Sequence, residues 1–125
     1  MAGFPKHWPD TCPPPDAEPA NGVVYRICRE NPPAVGDFQS HAELGKASKG
    51  DACLRYGLSV FRNPSEARHL TELFPKLGKL IFRGELTAEH GKLKATPART
   101  RPSHMTWWPF EKVERAAAFT ISSEG

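Results

Sequence analysis

The sequence predicts a single compact α+β domain of about five to six short, mostly antiparallel strands with one or two helices, preceded by a proline-rich arm. A chain of 125 residues suits one domain with a real core. Runs of β-branched and aromatic residues bounded by glycine and proline indicate strands, and one segment carries both the start and the stop signals of a helix. We place the arm at residues 1–21 and the domain at 22–125.

The arm is set apart by its proline content. Six of the thirteen prolines lie within the first twenty residues. Proline fixes its backbone and has no N–H to donate, so neither a helix nor a central strand can form there. We therefore expect an extended spacer or a strap across the domain, with a polyproline ligand for an aromatic groove as the alternative.

The first strand is predicted at Gly22–Cys28, where valine, tyrosine and isoleucine follow one another. Alternation along this strand places Arg26 on the face opposite Tyr25. An arginine in the middle of a strand either meets a ligand over that face or reaches solvent from a sheet edge.

The second strand is predicted at Cys53–Phe61. Gly57 and Ser59 lie on its less apolar face, so Gly57 either leaves room for a ligand beside the Ser59 hydroxyl or marks a bulge. Both interpretations stay open on spacing alone.

The strongest local signal belongs to a helix at 64–74. Asn63 is a capping amide, Pro64 suits the first helical position, and Glu66 completes a capping box. Pro75 and Gly78 then end the helix. Later strands are predicted at Lys79–Leu86, at His90–Thr96 and, on balance against a helix, at Arg115–Ile121.

Two adjacent tryptophans stand in the segment PSHMTWWP. Neighbouring residues of a strand face opposite sides, so Trp107 and Trp108 cannot both fill one core. We expect one of them to be a core residue and the other a ligand wall or an exposed interface residue. His104 shares a face with Thr106 and Trp108 if the strand is regular.

The net charge, the cysteines and the hydropathy of the chain bear on its ligands and on its cellular compartment. A formal net charge of +3 permits phosphate binding without arguing for it. Cys12, Cys28 and Cys53 are odd in number and form no C-x-x-C pair, so we expect neither a disulfide framework nor a zinc site, and a reducing compartment. No apolar run spans a membrane and the start has no signal-peptide core, which favours a cytoplasmic protein or one delivered into a target cell without a cleaved signal peptide.

Several catalytic motifs are missing from the sequence. No glycine-rich phosphate loop, H-E-x-x-H zinc motif or G-x-S-x-G nucleophile motif occurs. A nucleophilic Cys28 or Cys53 with a histidine base stays open, but a cysteine inside an apolar strand is usually inert.

An arginine on an early strand, a serine on the strand before the helix and a histidine beside aromatics on a late strand follow one another along the chain. The segments VVYRIC, GLSVFRNPSEA and GKLKATPARTRPSHMTWWP resemble the ADP-ribosyltransferase-like fold, and specifically the small type VI secretion system toxins of that fold. The resemblance covers roughly residues 23–110, with gaps. It implies a bacterial toxin or effector that acts on NAD, either transferring ADP-ribose to a macromolecule or hydrolysing the dinucleotide, with no metal.

The resemblance also implies a set of residues that bind NAD. Arg26 would bind the pyrophosphate or ribose through charge-assisted hydrogen bonds, with Tyr25 beside it. Ser59 would hydrogen-bond the nicotinamide ribose, and Trp107 or Trp108 would line the pocket.

The catalytic set implied by the resemblance is Ser59, His104 and Glu111. His104 would donate a hydrogen bond or transfer a proton. The family's late-strand glutamate has no clear counterpart, because Thr120 and Ser122 occupy the last strand, and Glu111 is among the nearest late acids. An immunity or antitoxin protein and a macromolecular ADP-ribose acceptor are the partners that this reading leaves open.

Two other functions also agree with the sequence. A noncatalytic protein-binding module would use the arm and the Trp107/Trp108 face, since aromatic residues are favoured at interface centres. An RNA-directed toxin would use His104 with the basic residues of 92–101, although the small charge excess does not favour nucleic acid.

Overall fold

A seven-stranded antiparallel sheet with two helices forms the domain, in a computed structural model that describes residues 3–45 and 52–122. The strands are β1 (Glu18–Pro19), β2 (Gly22–Cys28), β3 (Leu58–Phe61), β4 (Leu80–Leu86), β5 (Gly91–Ala95), β6 (His104–Pro109) and β7 (Phe119–Ile121), and the helices are α1 (Ala52–Tyr56) and α2 (Pro64–Leu73). Their order across the sheet is β1-β5-β6-β3-β2-β4-β7. The α+β class predicted from the sequence is confirmed.

Helix α2 begins where the capping signals place it. The Asn63 side chain accepts a hydrogen bond from the Ser65 amide at 2.9 Å, and Pro64 occupies the first turn. The helix ends at Leu73, and Ala67 is buried in a cluster with Tyr25 and other side chains of the sheet. One face of the sheet is thereby covered by α2.

The opposite face carries the larger core. Val24 and Cys28 of β2 are completely buried there, while Tyr25 faces α2, so the predicted alternation of this strand is confirmed. Trp107 and Phe119 belong to the same large cluster. Burial of such side chains is the main favourable term in folding.

The strand predicted at Cys53–Phe61 is wrong in its first half. Residues Ala52–Tyr56 form a helix and the strand is confined to Leu58–Phe61. Alanine, leucine and arginine favour a helix when nothing else decides, and the Trp108 indole fixes the turn by donating to the Cys53 carbonyl at 2.8 Å. The last strand is likewise shorter than predicted, because Arg115–Ala118 form a 3-10 turn.

The arm lies on the domain and is held there in three ways. Trp8 is buried, β1 pairs with β5, and Cys12 forms a disulfide with Cys53. The expectation that the cysteines form no disulfide is therefore wrong. The two cysteines are 41 residues apart in sequence, so a search for closely spaced pairs does not find them. The inference of a reducing compartment rested on unpaired cysteines and loses that basis.

Both adjacent tryptophans are completely buried. Trp107 lies in the large core, whereas Trp108 packs against Trp8 and Ala17 of the arm on the other side of the sheet. The expectation that one tryptophan forms a ligand wall or an exposed interface is therefore wrong. It failed because the arm supplies a second core for the face that the first core leaves uncovered.

Candidate functional site

The sheet opens between β2 and β3. Strand β2 pairs with β4 along all seven of its residues, but it pairs with β3 only at Tyr25 and Phe61. Beyond that pair the ladder stops, so two halves of the sheet separate. A cavity of about 670 Å³ lies at the opening, lined by β2, β3, β6, α2 and the loops that follow β2 and β5. Cavities of this size accommodate ligands as large as nucleotides or drugs.

Arg26 bridges the opening. Its Nε donates to the Asp37 carbonyl at 2.9 Å, and its Nη1 donates to the Ser59 carbonyl at 2.7 Å. The guanidinium also lies 5.4 Å from the centre of the Phe38 ring. Burial lowers the pKa of Arg26 to about 10, which leaves the group charged at neutral pH. A fixed positive charge therefore stands at the junction of the two half-sheets.

Other charged residues line the same cavity, namely Arg29, Glu30, Asp37 and Arg101. Asp37 is occupied by the loop itself, because its carboxylate accepts backbone N–H groups of Arg29, Glu30 and Ala34 at 3.0, 3.2 and 3.0 Å. The charged lining therefore consists of three arginines, with Arg26 included, and the two carboxylates Glu30 and Asp37, so positive charge is in slight excess.

Ser59 and His104 join Arg26 in lining this cavity. Ser59 is exposed on β3. Its backbone carbonyl accepts the hydrogen bond from Arg26, and its side-chain hydroxyl takes no part in that contact. His104 begins β6, half-buried, with its ring edge-on to Phe61 at 5.3 Å between centres. Three residues that the sequence suggested from three separate segments therefore meet at one place.

The remaining suggested residues lie elsewhere. Tyr25 packs with Phe61 in the cluster under α2, and Trp107 and Trp108 are enclosed in the two cores. Glu111 is exposed in the turn after β6, where its backbone N–H donates to the Gly3 carbonyl at 2.8 Å. None of the four lines the cavity. Their assignment to an NAD site stays a prediction that this arrangement does not support.

The room beside Gly57 is filled by protein. A side-chain carbon at this position would collide with the Thr106 methyl group and approach the Trp108 ring within 3.1 Å. The glycine is therefore required by packing between β3 and β6 rather than by a ligand.

The cysteines are unsuited to nucleophilic chemistry. Cys53 is in the disulfide, and Cys28 is completely buried in the large core. Burial raises the pKa of the Cys28 thiol to about 12, so a negligible fraction is thiolate at neutral pH.

Sequence reasoning missed the loop that follows β2. Its residues 29–44 form one wall of the cavity, including Arg29, Glu30 and Asp37. An aspartate after a proline- and glycine-rich stretch is typical of a loop that caps its own backbone, and that signal was present in the segment NPPAVGD. Arg101 was suggested only as part of a basic stretch.

A buried carboxylate ties this wall to the arm. Glu43 accepts two hydrogen bonds from Arg115, at 2.7 and 2.9 Å, one from the Ser40 amide and one from the Trp8 indole. Burial alone would raise the pKa of Glu43, but these hydrogen bonds outweigh it and lower the pKa to about 2. Arg115 also donates to the Phe38 carbonyl at 2.7 Å. A continuous set of contacts therefore joins arm, wall and Arg26.

The fold and site define an α+β domain whose antiparallel sheet opens around a cavity with a slight excess of positive charge. No family model, curated protein or solved structure matches this chain. Within residues 3–45 and 52–122, no group of three or more His, Cys, Asp or Glu side chains is placed to hold a metal ion. No helix among these residues is long and apolar enough to cross a membrane.

Proposed function

We propose that the cavity binds NAD and that the protein is an ADP-ribosyltransferase-like toxin or effector that cleaves the nicotinamide–ribose bond. The observation that carries the proposal is the convergence of Arg26, Ser59 and His104 on one cavity. Each came from a different segment of the sequence, and each has a chemistry that a dinucleotide requires. The size of the cavity, about 670 Å³, suits such a ligand.

The arginines are the pyrophosphate-binding groups of this proposal. Two N–H groups of Arg26 already donate to backbone carbonyls, so this residue contributes mainly its positive charge and helps to orient the ligand. Arg29 is exposed and Arg101 is half-buried at the cavity, with one described side-chain contact from Arg101 to Thr100 at 3.1 Å. A planar guanidinium binds two phosphate oxygens at once, which favours these two residues as direct ligands.

Glu30 replaces Glu111 as the carboxylate of the proposal. Cleavage of the bond to nicotinamide builds positive charge on the ribose, and a nearby carboxylate stabilises that charge. Glu30 lines the cavity and its side chain is exposed, whereas Glu111 does not line it and the Asp37 oxygens already accept three amides.

Burial of the two tryptophans counts against the alternative function of a protein-binding module. A binding module that presents the Trp107/Trp108 face would need exposed rings, and both rings are completely buried. An immunity or antitoxin partner, a macromolecular acceptor and delivery into a target cell belong to the proposed function as predictions. The Cys12–Cys53 bond is typical of proteins that meet an oxidising compartment.

NAD binding by calorimetry and nicotinamide release test the proposal. Arg101→Gln should weaken NAD binding at least tenfold, since a hydrogen bond to a charged group is worth about 1.5–3 kcal/mol. Arg99→Gln is the matched control, because Arg99 is exposed two residues away and does not line the cavity. Ser59→Ala should reduce nicotinamide release while the protein keeps its fold.

Two results would count against NAD as the ligand. The first result is a wild-type protein that neither binds NAD at millimolar concentration nor releases nicotinamide. Alternatively, Arg99→Gln and Arg101→Gln would lose binding equally, and single-stranded RNA would bind with a steep salt dependence, which would favour the RNA-directed reading.

A further inference from the structure

The His104 ring is hydrogen-bonded to Thr96, and the Thr96 hydroxyl contacts Thr106. The ring Nδ1 lies 2.9 Å from the Thr96 carbonyl oxygen and 2.9 Å from the Thr96 hydroxyl. The Thr96 hydroxyl in turn lies 2.9 Å from the hydroxyl of Thr106, the second residue after His104 on β6. The Phe61 ring, on the neighbouring strand, packs against the His104 ring in a T-shaped arrangement.

These contacts determine which ring nitrogen carries the proton. A carbonyl oxygen only accepts hydrogen bonds, so the Nδ1 of His104 must be the N–H that donates to Thr96. A neutral imidazole has one N–H, and Nε2 is therefore an unprotonated acceptor. No hydrogen bond to Nε2 is made by the residues that the structure describes, and the ring lines the cavity.

The surroundings keep His104 neutral near physiological pH. Burial lowers its pKa most strongly; the Thr96 backbone contact raises it, the Arg101 charge lowers it and the Glu66 charge raises it. Glu66 approaches from α2, where its carboxylate also accepts the Ser103 amide at 2.9 Å. The balance leaves the pKa below its ordinary value, which favours a lone pair on Nε2.

We propose that His104 is a general base that activates water for hydrolysis of the nicotinamide–ribose bond. This inference rests on the proposed function and selects hydrolysis over transfer. The water oxygen attacks C1′ of the ribose, and the C1′–N1 bond breaks with its electron pair passing to the ring nitrogen of nicotinamide. The water proton moves to Nε2 of His104, and the products are ADP-ribose, nicotinamide and one proton, which the imidazolium later releases.

Thr96 is the positioning residue of this arrangement. As the proton arrives at Nε2, positive charge spreads over the ring, and the carbonyl that already accepts Nδ1–H stabilises it without reorganisation. The Thr96 hydroxyl, which contacts both Nδ1 and the Thr106 hydroxyl, favours this orientation of the ring. A base of this kind contributes about 10²–10⁴-fold to a rate.

The test replaces His104 by asparagine, whose amide keeps a donor near the Thr96 carbonyl but offers no base. The rate of nicotinamide release is measured between about pH 5 and 9 in the wild type, in His104→Asn and in His69→Asn, an exposed control on α2. We expect the wild-type kcat to rise with pH and level off once His104 is neutral. His104→Asn should lower kcat about 10²–10⁴-fold with NAD affinity retained, and should remove that rise.

Failure of this inference and failure of the proposed function give different results. A wild-type protein that does not bind NAD overturns the proposed function. Nicotinamide release that keeps its rate and its pH dependence in His104→Asn overturns only the role of the base. Nitrogen-15 NMR of the ligand-free protein gives a further readout, since a proton found on Nε2 instead of Nδ1 at neutral pH contradicts the inference without reference to NAD.

Discussion

The guanidinium of Arg26 donates a hydrogen bond to the Ser59 carbonyl at 2.7 Å, across the place where β2 and β3 cease to pair. A side-chain N–H group thus donates the hydrogen bond between neighbouring strands that backbone N–H groups donate in the rest of the sheet. The two half-sheets stay joined, and a positive charge is fixed between them. The same residue therefore contributes to stability and to the character of the cavity.

Arg26→Gln should lower the free energy of unfolding by about 2 kcal/mol, because the carbonyls of Asp37 and Ser59 lose a charged donor. Urea denaturation measures the loss. Arg62→Gln is the matched control for ligand binding. Arg62 also donates to two carbonyls, at 2.9 and 3.0 Å, but it lines a different cavity. Arg62→Gln should leave ligand binding unchanged, and a stability of Arg26→Gln within about 0.5 kcal/mol of wild type would contradict the bridging role.

Glu43→Gln should destabilise the protein in a pH-dependent way. The folded state lowers the pKa of Glu43 from 4.5 to about 2, so the charged form contributes up to about 3 kcal/mol above pH 4.5. That contribution is lost as the pH falls from about 4.5 to about 2. Denaturation curves of Glu43→Gln and wild type should therefore differ at pH 7 and converge in acid, whereas Glu72→Gln, an exposed control, should follow wild type throughout.

Replacement of Cys12 and Cys53 together by serine should cost about 4 kcal/mol, because the disulfide closes a loop between cysteines 41 positions apart in sequence. The measurement is the denaturation midpoint with and without reductant. Reductant should lower the midpoint of the wild type and leave that of the double variant unchanged. Equal midpoints for wild type and variant under oxidising conditions would show that the arm is held by packing alone.

Gly57→Ala should destabilise the protein by about 1–3 kcal/mol, because the added methyl group meets the Thr106 methyl. Adding Thr106→Ser removes that methyl and keeps the hydroxyl that contacts Thr96. The double variant should recover most of the lost free energy of unfolding. If the single variant is as stable as wild type, or the second change brings no recovery, the packing explanation of Gly57 fails.

Features set by neighbouring residues could be predicted from the sequence. The alternation of β2 and the capping of α2 depend on residues at most a few positions apart, and both are as expected. The resemblance to the ADP-ribosyltransferase-like fold implied roles for Arg26, Ser59 and His104, and all three line one cavity.

Features set by distant residues could not be predicted. Whether Trp108 is exposed depends on Trp8, which is 100 positions away, and the disulfide joins the arm to a helix that the sequence indicated as a strand. Glu43 carries no pattern that distinguishes it from a surface glutamate, because its partners Trp8 and Arg115 come from the two ends of the chain.

The Cys12–Cys53 bond makes a covalent ring of residues 12–53, and the ring contains Arg26 and the whole loop that forms one wall of the cavity. A protease that cut one peptide bond within this ring would leave the fragments attached to each other. The nicked protein would run as a single band on a non-reducing gel and separate into two only after reduction. A protein cleaved in this wall would thus remain one covalently joined molecule for as long as its surroundings stay oxidising.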